Sequence, residues 1–167
     1  MAERELLVEN KVGYEGLFSV KELYRLIDAF FREKGYDKRE IKNSEKVTPE
    51  GKFIEVEMMP WKKVTDYAKN EIWMRIIIEN LKEVEVEKNG VKVKLNQGSL
   101  KIVFYGYLTT DYENRWEQKP MFFFIRTLFD KFFLKQYVDE FKKNLLGDVS
   151  LIRNQIDGFL NLYRYRT

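Results

Sequence analysis

Val20, Leu23, Tyr24, Ile27, Phe30 and Phe31 recur at steps of three and four, so they share one face of an α-helix. Ser19 precedes this run and stands three residues before Glu22, the spacing of a capping box. Gly35 follows it and can close the helix in the left-handed conformation. Upstream, Glu5 to Lys11 reads as a short strand leading into a connection through Gly13 and Gly16.

After Tyr36 the period changes to two. Ile41 to Val47 predicts a strand, Pro49-Glu50-Gly51 a turn, and Phe53 to Trp61 the antiparallel partner, with Ile54, Val56 and Met58 facing a core while Glu55 and Glu57 face water. The stretch KKVTDYAK reads as a connection. Ile72, Met74, Ile76 and Ile78 then line one face of a longer strand, with Trp73, Arg75 and Ile77 opposite and Asn80 marking a bulge. Asn89-Gly90, inside VEVEKNGVKVKL, predicts a type I′ hairpin, because both positions tolerate positive φ. Asn96-Gln97-Gly98 reads as a further turn, and Ser99 to Thr109 as a returning strand with Leu100, Ile102 and Phe104 on one side.

The remainder predicts two helices. Pro120 suits a first helical turn, and Met121, Phe124, Ile125, Leu128, Phe132, Tyr137, Phe141 and Leu145 carry a stripe to Gly147. Asp148 or Ser150 caps a last helix bearing Leu151, Ile152, Ile156, Phe159, Leu160 and Tyr163. Strand, helix, a meander of about five strands and C-terminal helices define an α+β class in one domain over residues 1–167. A twisted meander tends to wrap around a helix, and this element order resembles the helix-grip architecture of START and polyketide-cyclase-like folds.

Four stretches carry a second resemblance: LYRLIDAFFREKGYDKRE, PWKKVTDYAK, GYLTTDYENRWEQKPMFFFIRTLFDKFF and FLNLYRY. Together they resemble an uncharacterised archaeal protein family, which implies an archaeal origin and no catalytic residues. The charged fraction of 34%, rich in Lys and Glu, fits a thermophilic surface.

Composition narrows the chemistry. The chain has no Cys and no His, which removes disulfides, thiolate nucleophiles, histidine triads and histidine or cysteine metal sites. No phosphate-binding glycine loop is present, and the nearest oxygen-ligand set, Asp111, Glu113 and Glu117, is scattered, so neither a metal nor another cofactor is expected. No apolar run approaches the roughly 20 residues of a membrane span. The first residues lack a secretory signal, so a cytoplasmic protein without membrane insertion is expected.

What remains favours binding over catalysis. Aromatic and basic residues interleave at Trp61, Lys62 and Lys63, at Arg115, Trp116 and Lys119, and at Arg164 and Arg166, a combination that stacks on bases and follows phosphates. The first expectation is therefore a non-catalytic protein contacting RNA or a ribonucleoprotein. The alternative is a carrier of a small apolar ligand, its pocket between sheet and long helix lined by Met74, Ile76, Phe104 and Phe124. Phenylalanines crowd MFFFIRTLFDKFF more densely than one helix face can hold, and a homodimer would cover the surplus. The repeat Thr65-Asp66-Tyr67 and Thr110-Asp111-Tyr112 reads as hydrogen-bonded turns. Its functional version makes Asp66 and Asp111 an acid/base pair.

Overall fold

A computed structural model describes residues 2–113, 127–128 and 135–164. The order is β1 (Glu3–Phe18), α1 (Val20–Glu33), β2 (Glu40–Thr48), β3 (Gly51–Met58), β4 (Trp61–Lys63), β5 (Ala68–Lys88), β6 (Val91–Thr110) and α2 (Lys135–Arg164). All the strands join one antiparallel sheet in the order β1-β6-β5-β3-β2, with β4 on β5. The expected α+β class, with a sheet packed on helices, is what the chain forms.

The helix start follows its sequence signal. Ser19 Oγ accepts from the Glu22 amide at 3.2 Å, while the Glu22 carboxylate accepts from Tyr163 of α2 at 2.8 Å and so ties the two helices together. Gly35 sits at φ 75°, and Asn89 and Gly90 at φ 53° and 77° complete the type I′ turn joining β5 to β6.

Asn80 forms the expected bulge, at φ 54°, where the β5–β6 register slips between Glu79 and Lys82. One extra residue turns every later side chain of β5 to the other face. Ile72, Met74, Ile76 and Ile78, all at 0% exposure, therefore point into the core, whereas Val84 and Val86 pair with Leu95 and Val93 on the opposite face.

Three connections expected from glycine and asparagine do not exist. Gly13 and Gly16 lie inside β1, which pairs with β6 from Glu3 through Phe18. Asn96, Gln97 and Gly98 lie inside β6: the Asn96 side chain accepts from the Val20 amide at 3.1 Å, and a Cβ on Gly98 would stand 2.9 Å from the Glu79 carbonyl oxygen. Gly147 and Asp148 do not separate two helices either, since α2 runs unbroken past them. Its buried stripe Leu145, Val149, Ile152, Ile156 and Leu160 keeps one face on the sheet, and burial of such side chains contributes roughly 1.5–3 kcal/mol each, enough to outweigh about 1 kcal/mol for a helical glycine.

Both described helices cover the same side of the sheet, where they bury Val12, Phe18, Met74, Ile102 and Phe104 in one cluster. At Gly106 the sheet leaves room for its neighbours: an added Cβ would lie 2.7 Å from Val8 Cγ1 and 3.3 Å from Val149 Cγ2 of α2.

Candidate functional site

Residues directly opposite in an antiparallel ladder share a face, so the register assigns side chains to the sheet's outer side. One outer row runs Trp61, Glu71, Tyr107, Leu6 across β4, β5, β6 and β1, and the next runs Lys63, Lys69, Thr109, Arg4. Trp73 faces Tyr105 one row further in, with ring centroids 5.1 Å apart. Tyr105 then stacks on Tyr107 at 6.5 Å with planes 24° apart. Arg4 caps the ladder with its guanidinium 3.8 Å over the Tyr107 ring. All three ladder rings are half-buried, and no described helix lies over them.

Two glutamates underpin this face. Glu71 is only 5% exposed, takes a hydrogen bond from Thr109 at 2.5 Å, and lies 3.2 Å from Lys69 and 3.6 Å from Arg4. Glu55 is 6% exposed and is held by Lys42 at 2.5 Å and by Arg75, which also reaches Glu57 at 3.5 Å. The hydrogen bonds from Lys42 and Arg75, together with their positive charge, hold the Glu55 carboxyl below the usual glutamate range. Glu55 was expected to face water. It is covered instead because Lys42 and Arg75, themselves 49% and 41% exposed, bring their charged heads onto its carboxylate.

The residues picked out by sequence separate. Trp61 and Lys63 join the outer face, although Lys63 also holds the exposed Asp66 at 2.6 Å. Lys62 points to the other side, donates to the Lys34 carbonyl at 3.0 Å near the end of α1, and lies 5.2 Å from the Tyr36 ring centre. Arg164, at the end of α2, sits over the Tyr14 ring at 5.7 Å. Tyr14 is on the helix side, ten residues along β1 from Arg4 of the Lys63 row, so the two lie about 33 Å apart along the strand at about 3.3 Å per residue. Among the described residues, the segment Trp61, Lys62 and Lys63 and the residue Arg164 thus do not share one patch. Arg115, Trp116, Lys119, Arg166, Phe124 and most of the phenylalanine-rich stretch lie outside the described residues.

The repeated turns are neighbours. Thr65 Oγ1 accepts from the amides of Tyr67 and Ala68 at 3.2 and 3.0 Å, and the Asp111 amide donates to the Tyr67 carbonyl at 2.7 Å. Their carboxylates have different surroundings, since the Asp66 side chain is 82% exposed whereas Asp111 is 1% exposed. That asymmetry suits turn chemistry.

The core residues expected to line a pocket, Met74, Ile76 and Phe104, are each 0% exposed in the cluster that holds Leu145 and Val149. Clefts occur instead between α1 and β2–β3. A cavity of about 370 Å³ lies among Tyr24, Ile27, Ile54, Val56 and Met58, and a wider one of about 720 Å³ continues past Tyr24 to Lys21 and Leu81.

Strict alternation with core residues assigns Trp73, Tyr105 and Tyr107 to the second face of their strands, where exposure argues for a partner surface; the ladder itself depends on the strand register, since Trp73 and Tyr105 are far apart in the chain. No protein-family model, curated protein or solved structure matches this chain. No group of acidic residues among those described could hold a metal ion, and no described helix is long and apolar enough to cross a membrane.

Proposed function

We propose that the protein is a non-catalytic binding module that lays single-stranded RNA across the outer face of its sheet. The Trp73–Tyr105–Tyr107 ladder carries this reading, because adjacent rings on neighbouring strands offer successive bases a stacking surface. Phosphates would meet Arg4, Lys63 and Lys69 in the row beside it, with Arg75 on the other flank.

Buried glutamates support the same assignment. Glu71 and Glu55 hold the basic side chains in place from below, while Arg4 and Arg75 remain 44% and 41% exposed. A cation held in advance loses less rotamer freedom on meeting a phosphate. Trp61 extends the aromatic surface by one strand.

Titration of tryptophan fluorescence with a single-stranded oligonucleotide tests the proposal. Saturable quenching is expected at low salt, with affinity falling roughly twentyfold between about 50 and 200 mM salt if about three phosphates are contacted. Tyr105→Ala should weaken binding by about tenfold, at about 1–3 kcal/mol per stacked base. No quenching at low salt, or full affinity in Tyr105→Ala, defeats the reading.

A further inference from the structure

The cleft along α1 lies on the opposite side of the sheet from the aromatic ladder, so its chemistry is independent of RNA binding. Its floor is apolar: Ile27, Val56 and Met58 are 1%, 4% and 4% exposed. Cavities of about 720, 370 and 200 Å³ follow one another from Lys21 to Arg32, sharing Tyr24 and Ile54 at one junction and Asp28, Lys38 and Met58 at the other. At 1.5 Å per helical residue that path is about 16 Å long, which suits an elongated molecule rather than a compact one.

Tyr24 stands where the two larger cavities meet, lining both. Its hydroxyl is fully buried, yet it has no hydrogen-bond partner among the described residues. A buried hydroxyl with no acceptor costs about 1–3 kcal/mol, so an incoming oxygen that satisfied it would be favoured. Burial first, then the charges of Glu45 and Glu40, push this phenol up to about 12, so it remains a donor at every physiological pH.

The rim selects against anions. Asp28, Glu40 and Glu45 line the middle cavity; Asp28 is bound to Lys38 at 2.9 Å and Glu45 to Lys52, from the adjoining cavity, at 2.8 Å, and the charges that act on the Tyr24 phenol are those of Glu45 and Glu40. A carboxylate or phosphate head would meet like charge there. A hydroxyl can accept from Tyr24 and donate to a rim carboxylate at the same time.

We infer that the cleft between α1 and β2–β3 is a binding site for an elongated apolar molecule with a neutral hydroxyl head, held by the Tyr24 hydroxyl and screened by the acidic rim. Isothermal titration with 1-decanol and decanoate at neutral pH tests it. Decanol should bind saturably and decanoate at least tenfold more weakly. Tyr24→Phe should weaken decanol at least tenfold without losing the fold. Glu40→Gln, an exposed rim change, should narrow the gap between decanol and decanoate. No saturable decanol binding, equal binding of the two, or unchanged decanol affinity in Tyr24→Phe overturns the assignment.

Discussion

The Tyr36 hydroxyl donates to Asp148 Oδ2 at 2.8 Å, which fastens the segment after α1 to the middle of α2 across 112 residues of chain. Tyr36 is 5% exposed. Burial above all, and then the Asp148 charge, raise the Tyr36 phenol well beyond its ordinary range, so the hydroxyl stays protonated and donating. Tyr36→Phe keeps the ring and its edge contact with Phe31 at 5.6 Å but deprives a largely buried carboxylate of its donor. Chemical denaturation should find this variant about 1–3 kcal/mol less stable, with an unchanged denaturant slope. A loss near zero would mean that Lys34, 3.8 Å from Asp148, is sufficient by itself.

Glu55 gives a pH signature with a definite sign. Its folded carboxyl titrates below the ordinary value, so the ionised form is the one the native state favours. Such a group contributes its stability in full above the unfolded value of about 4.3 and loses it as pH falls through the lower folded value. Glu55→Gln should therefore be less stable than the wild type at about pH 7, and thermal melts should show the difference shrinking as the pH approaches about 2. A gap that does not vary with pH would contradict the ion-pair account.

Gly106 tests the seat of α2. The missing Cβ leaves room for Val8 and Val149, whose branched side chains are stiff at χ1 and cannot swing away cheaply. Gly106→Ala should cost about 1–3 kcal/mol by overpacking, and amide exchange should quicken in α2 around Val149 more than in the Asn89–Gly90 turn. Wild-type stability in this variant would place the helix further from the sheet than described.

How much of this was legible beforehand depended on whether a signal was local. The Ser19 cap, the Asn89–Gly90 turn and the Asn80 bulge each arise from a residue's own backbone preference, and the chain uses all of them as expected. Gly98 and Asn96 carry equally good turn chemistry, yet it serves distant contacts: Gly98 admits the Glu79 carbonyl, and Asn96 caps the amide of Val20. Pairing along 20 residues of β6 outweighs the local preference for a turn. The candidate site was harder to see. Alternation sets Trp73, Tyr105 and Tyr107 apart from the core, but only the register brings them together and places Arg4 above Tyr107. Glu55 reads as a solvated position, because nothing local shows that Lys42 and Arg75 converge on it.

The ladder's role in RNA contact is tested most directly by ultraviolet cross-linking of a bound single-stranded RNA, with the modified residues located by peptide mass spectrometry. The expected result is a set of adducts at Trp73, Tyr105 or Tyr107, competed away by unlabelled RNA and lost at high salt. Adducts confined to the helix-covered side, at Tyr14 or Tyr163 for example, or none at all under low-salt conditions, would contradict it.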